Sequence, residues 1–302
     1  MNRTILAGFA AAAVLLFAGC RDEEYTVLTG IDSTEARQPV SRSLVLDVEE
    51  VEVPGTGVRL KLALVRAGRF VMGDGSAEAP MHGVRLTHDF YMATTEVTQQ
   101  LYRAVAGRSG GAIADSTPSH FNYDGDYPVE SVSFGDAMRF CERLSELTGY
   151  HFELPTEAQW EYAACGGANG ARTAYAGGSM IGPVAWYKGN SPEVGYTGTS
   201  PYTGRDTLFH ICRTSPVGGK SPNALGLYDM SGNVREWCVD GWSLLGSGDV
   251  VDPVCTTGTA QRVYRGGASN DSAQYCRVAH REAITADSKG FSIGFRVVVN
   301  MD

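Results

Sequence analysis

The chain has 302 residues, 43% of them hydrophobic, enough to bury a full core in one large domain. Its 34 acidic side chains against 25 basic ones give a net charge of −9, and no Lys/Arg run offsets it. That balance excludes nucleic-acid backbones and anionic membrane surfaces as general partners, because both would repel the protein.

Residues 1–20 read as a lipoprotein signal peptide. Arg3 supplies the positive start, Ile5 to Phe17 an apolar run too short to span a bilayer as a helix, and Ala18-Gly19 the small residues before Cys20. Lipidation of Cys20 would anchor an exported protein in the bacterial cell envelope, at the outer membrane or the cell surface; a plain signal peptide is the alternative. Residues 21–43 are polar and aperiodic and read as a flexible linker. Its first residues, Arg21-Asp22-Glu23-Glu24, fit either a surface-export signal or a solvated tether. The folded domain is expected over 44–302.

Within it, Leu60 to Val65 alternates apolar with small or polar residues and Arg69 to Met72 continues extended, which predicts a first pair of strands. Val84 to Leu86 and Phe90 to Met92 follow as further strands. Thr98 is placed to cap a short helix with Leu101, Tyr102 and Val105 on one face and Gly107 as its end. Residues 107–128 turn to Gly, Ser, Asp and Asn and predict a surface loop. Ser133 and Asp136 form a capping box before a helical apolar pattern through Cys141, Leu144 and Leu147 to Gly149. Thr156 and Gln159 form another, starting a helix through core-facing Trp160 and Tyr162 to Gly166-Gly167. Residues 166–222 have no sustained period and read as irregular.

The stretch Gly226-Leu227-Tyr228-Asp229-Met230-Ser231-Gly232-Asn233-Val234-Arg235-Glu236-Trp237 carries polar atoms and bent backbone between bulky apolar residues, unlike an ordinary strand or helix. Buried partners must satisfy those atoms. Asp229 and Glu236 supply hard oxygens and Gly232 permits a sharp turn, which suits calcium; a Gly-Asn turn whose acids bond backbone amides is the other reading. The six histidines lie scattered, with no helix-face pair beside a carboxylate, which argues against zinc or a three-histidine iron site. Once Cys20 is set aside, Cys141, Cys165, Cys212, Cys238, Cys255 and Cys276 could form disulfides after export, with connectivity open.

That central stretch resembles the GLYDM-GNVWEW signature of the formylglycine-generating-enzyme, or sulfatase-modifying-factor, family, with Arg235 where the family carries Trp. Further signatures follow in family order: Gly68 to Gly73, Thr95 to Thr98, Pro128 to Ser133, Leu154 to Ala164, Arg265-Gly266-Gly267 and Ile293-Gly294-Phe295-Arg296. The resemblance implies an α+β, C-type-lectin-like fold with little regular secondary structure, short mixed strands and a few helices. It also implies calcium held by the Asp229 and Glu236 side chains and the Gly232 and Val234 carbonyls. Members that make formylglycine hold Cu(I) between two cysteines, and counting from Arg265 places them at Cys276 and Asp271. A hard carboxylate cannot replace a soft thiolate toward Cu(I), so copper and catalysis through Cys276 are disfavoured. The iron-binding histidine motif of the sulfoxide-synthase branch is also missing.

Between the framework pieces of 265–296 lie Ser, Asn, Asp, Tyr, His, Ile and Phe, a mixture that resembles the variable region of retroelement-diversified proteins with this fold. An ordinary polar loop is the alternative. On the first reading Ser269, Asp271, Tyr275, His280, Ile284 and Phe291 form a ligand-binding surface. The expected function is thus a lipid-anchored binding or display protein with a protein or glycan ligand. A copper-dependent oxidase acting on sulfatase cysteines and a structural lipoprotein of an envelope complex are the alternatives.

Overall fold

The computed structural model describes residues 47–301 apart from 78, 109–112, 124, 200–204 and 257–258. The expected signal peptide, Cys20 and the 21–43 linker lie outside the described residues. No helix among the described residues is long and apolar enough to cross a membrane.

In chain order the elements are β1 (Val48–Glu52), β2 (Arg59–Val65), β3 (Gly68–Met72), β4 (His82–Leu86), β5 (Phe90–Ala93), α1 (Gln99–Ala106), α2 (Phe134–Thr148), β6 (Phe152–Glu153), α3 (Glu157–Ala164), α4 (Ile181–Val184), β7 (Glu193–Thr199), β8 (Asp206–Cys212), β9 (Arg235–Gly241), β10 (Val250–Val251), β11 (Gln261–Arg265), β12 (Arg281–Thr285), β13 (Ile293–Gly294) and β14 (Val298–Asn300). α1, α2 and α3 start where side chains satisfy the free N-terminal amides. Thr98 accepts from the Leu101 amide, and Ser133 with Asp136 and Thr156 with Gln159 close reciprocal capping boxes. Gly149 ends α2 in the left-handed conformation, at φ 80°.

Among the described residues the strands form four sheets, ordered β1-β2-β5-β14-β6, β10-β4-β3, β12-β11-β9-β13 and β7-β8. One core, built on Leu62, Tyr102, Phe140, Trp237 and Phe295, lies between the five-stranded sheet and α1 and α2. A second, built on Met72, Val84, Phe90, Trp160 and Tyr162, joins α3 to the three-stranded sheet. Trp160 and Tyr162 are fully buried, as expected, but α3 is not the amphipathic helix the sequence suggests: every residue of it except Gln159 is buried.

Three expectations change. β2 and β3 follow one another but belong to different sheets: β2 pairs with β1 and β5, and β3 with β4. Residues 166–222 contain the β7-β8 hairpin, paired from Glu193 with Cys212 to Thr199 with Asp206. The central stretch ends as regular structure, because Arg235 to Trp237 already belong to β9, where Arg235 and Glu236 pair with β13. All six cysteines described are free thiols.

Candidate functional site

Four left-handed residues fold the 226–237 stretch back on itself: Gly226, Asp229, Gly232 and Asn233, at φ 75°, 56°, 84° and 59°. A Cβ at Gly232 would stand 2.0 Å from the Trp186 carbonyl oxygen, so only glycine fits there. The turn carries Asn233 inward, where its Oδ1 accepts from the Ser215 amide at 2.9 Å and its Nδ2 donates to the Ser215 carbonyl at 3.2 Å and to Glu96 Oε2 at 3.4 Å.

Asp229 and Glu236 reach the same buried region, together with Glu96, to which the sequence analysis assigned no role. Asp229 Oδ2 accepts from the Gly218 amide at 2.6 Å. Glu236 is fully engaged: Arg296 donates to it through Nε at 2.6 Å and Nη2 at 2.7 Å, and the Trp160 indole Nε1 donates at 2.7 Å. Three buried carboxylates therefore share one guanidinium. Burial, reinforced by the Asp229 and Glu236 charges, pushes Glu96 well above the usual carboxylate range, and burial raises Asp229 to about 6. Glu96 Oε1 and Asp229 Oδ1 are buried without a hydrogen-bond partner. Unpartnered hard oxygens of this kind fit calcium. Among the described residues no three His, Cys, Asp or Glu side chains form a metal-binding group, so an ion at Asp229 and Glu96 would need backbone carbonyls as well, for which the family resemblance names Gly232 and Val234.

On the neighbouring strand position, Arg235 points to the C-terminal stretch. Its Nη2 donates to Asp271 Oδ1 at 2.5 Å and its Nη1 to Ser292 Oγ at 2.6 Å, while Asp271 Oδ2 accepts from the Ala268 amide at 2.9 Å. The two positions at which this sequence departs from the enzyme pattern thus bond to each other. Cys276 is fully buried, and burial pushes its thiol up to about 12, far from a reactive thiolate.

The remaining expected ligand residues divide. Tyr275 and His280 meet edge to face at 5.2 Å, and His280 lies 3.6 Å from Glu282, which also faces Arg235. Ser269 is buried beside Asp271, Ile284 packs at the margin of the first core, and Phe291 joins a separate group with Phe121 and His120. Tyr275, His280, Gln274 and Arg277 line a hollow of about 300 Å³. A second hollow, of about 340 Å³, opens on the far side of Arg277 toward Arg172 and Cys165. The Arg277 Nη1 to Asp74 Oδ2 contact, 2.7 Å long, stands between them.

Beneath this cleft runs a buried ionic frame that motif spacing did not reveal. Arg281 donates to Glu157 through Nε at 2.7 Å and Nη2 at 2.6 Å, while Arg265 pairs with Glu161 and lies over the Trp160 ring at 5.3 Å. Glu161 also accepts from the Gly73 amide at 2.7 Å. The frame ties α3 to β11 and β12.

Short mixed strands, few helices and the glycine-turned 226–237 stretch define an α+β protein of the C-type-lectin-like, formylglycine-generating type. The sequence matches the sulfatase-modifying factor enzyme 1-like domain over residues 56–301, and the chain belongs to that family. It is 30% identical to the chaperone protein LppX of Paenibacillus barcinonensis over 276 residues, covering 80% of this chain and 90% of that one. It is 36% identical to the formylglycine-generating enzyme of Streptomyces coelicolor over 202 residues, covering 65% of this chain but only 58% of the enzyme. The fold is similar to that of Treponema denticola variable protein 1, with a TM-score of 0.67, 27% identity, and coverage of 84% of this chain and 99% of that one.

Proposed function

We infer that this chain is an exported, lipid-anchored binding protein that uses the formylglycine-generating scaffold without its oxidase chemistry. The observation that carries this reading is the Arg235–Asp271 ion pair at the position of a copper thiolate. An oxidase needs two soft ligands there; this chain offers one buried thiol and a carboxylate already committed to a guanidinium. Binding falls to the cleft of Tyr275, His280 and Arg277, where an aromatic ring, an imidazole and a partly exposed cation surround a hollow. A polypeptide is the favoured ligand, supported by the relative named a chaperone, LppX. The similarity to a variable protein supports a reading in which 265–296 is diversified and that cleft is the varied surface. Calcium serves this reading as a structural ion at Asp229 and Glu96.

The test is direct. The purified protein, supplied with Cu(I) and oxygen, is expected to leave the cysteine of a sulfatase-type peptide unmodified and to bind sequences on a peptide array in a manner lost on Tyr275→Ala. Copper-dependent formylglycine formation would sink the reading. Sequencing the neighbouring DNA for a reverse transcriptase and a near-copy of the codons for 265–296 tests the diversification part separately.

A further inference from the structure

We propose that the outer face of the β10-β4-β3 sheet is a second ligand site, which holds an oxyanion, the carboxylate or phosphate group of a small molecule, between Arg69 and Arg85. The two arginines are direct cross-strand partners, and Val251 of β10 stands opposite Arg85, so the three form one row across the sheet. Alternation turns Val84, Leu86 and Met72 into the second core and leaves Arg69 and Arg85 on the exposed face. Like charges placed directly opposite one another repel. The chain has an excess of acids with which to relieve that repulsion, and it does so elsewhere: Arg59, Arg66, Arg139 and Arg277 each have a carboxylate partner. Neither the Arg69 nor the Arg85 guanidinium has a hydrogen-bond or ion-pair partner among the described residues, although the Arg85 carbonyl accepts from the Asp252 amide.

The site has a shaped floor. Arg69 and Arg85 border a groove of about 260 Å³ with Asp249, Val250 and Val251 along its other side. Asp249 Oδ1 accepts from the Gly83 amide at 3.1 Å, and a Cβ at residue 83 would come within 2.4 Å of that oxygen. Glycine at 83 therefore lets the carboxylate lie flat against the strand, where the amide holds it. Within the groove lining two guanidiniums stand against the one carboxylate of Asp249, while the Asp252 carboxylate, just beyond, is taken up by the Thr87 amide and hydroxyl. Planar forks of this kind match carboxylate and phosphate oxygens in bidentate fashion. Val251, about half exposed at 52%, offers apolar surface for the body of the same ligand. No residue lining this groove lines the cleft at Tyr275, so the two sites are separate.

Calorimetric titration of the whole protein with phenyl phosphate and with phenylacetate, at low salt, tests the assignment. At least one probe is expected to saturate at submillimolar to low millimolar concentration, and which one does so identifies the phosphate or the carboxylate as the natural group. Arg69→Gln and Arg85→Gln should each weaken binding by about tenfold or more, the loss of a charge-assisted contact, with Arg85→Lys between Arg85→Gln and the parent. Arg139→Gln, on α2, should leave the affinity unchanged. Both targeted side chains are exposed, so the variants are expected to melt with the parent. Failure of both probes to saturate, or saturation that survives both glutamine variants, overturns the proposal.

Discussion

Arg235 and Asp271, 36 residues apart in the chain, meet as a 2.5 Å ion pair at the place where the formylglycine-generating scaffold would carry a tryptophan and a copper thiolate. Each residue alone looks like an isolated departure from a motif. Together they are one exchange, since an unpaired carboxylate or guanidinium in this mostly buried position would be costly. Arg235→Ala or Asp271→Ala should each destabilise the protein by about 1–3 kcal/mol, and the double variant by less than the sum. Asp271→Cys alone should bind Cu(I) poorly beside the stranded Arg235, whereas Asp271→Cys with Arg235→Trp should gain it. Equal copper uptake by the single and double variants, read by a Cu(I) competition assay, would separate the two substitutions.

Calcium is expected to stabilise the fold through Asp229 and Glu96, whose free oxygens otherwise remain buried and unpaired. At a free concentration of about 100 times its Kd, a native-state ligand adds about 3 kcal/mol. That corresponds to roughly 5–10 °C in Tm for a domain of this size. Excess chelator should lower the melt accordingly, and Glu96→Gln or Asp229→Asn should blunt the response. A melt indifferent to chelator, with no calcium by elemental analysis, removes the ion from the account.

The Asp240 carboxyl offers a pH test away from that cluster. Its oxygens accept from the Cys255 and Glu157 amides at 2.8 and 2.7 Å, yet burial outweighs these bonds and raises it to about 6. A folded-state value above the unfolded one stabilises the protein fully below the ordinary value near 3.8 and is lost as pH rises through about 6. Across that window Asp240→Asn should therefore gain on the parent by on the order of 2–3 kcal/mol, from a shift of about two units. Urea unfolding at the two ends of the window measures the difference; a gap independent of pH would mean that Asp240 stays ionised throughout.

Cleft and frame should respond differently to truncation. Tyr275→Ala and His280→Ala are expected to weaken ligand binding by about 1–2 kcal/mol each with little change in Tm, because both side chains are partly exposed. Glu157→Ala leaves Arg281 with a buried charge and should cost about 3–5 kcal/mol of stability. If the cleft alanines destabilise as much as the frame variant, Tyr275 and His280 are packing residues.

Local rules made the helices legible in the sequence: Ser133 with Asp136 and Thr156 with Gln159 are short-range signals, and both boxes form. β1 escaped notice because Val-Glu-Glu-Val-Glu is an edge strand whose charge hides its alternation. Glu96 escaped for another reason. Its partners Asn233, Asp229 and Glu236 come from the far half of the chain, and no spacing rule links them. The 226–237 turn was readable because glycine and polar residues between large apolar ones leave few alternatives. The Arg235–Asp271 contact was not, since only tertiary structure brings the ends of two motifs together.

β14, the last strand described, runs between β5 and β6 inside the five-stranded sheet, with Val298 opposite both Met92 and Glu153. β14 alone joins the two-residue β6 to the rest of that sheet, and the neighbouring Val297 and Val299 fill part of the first core. A proline at Val298 would therefore do more than weaken one strand: it would cut β6 loose and bare the edge of β5, the kind of unpaired edge that invites pairing with another chain.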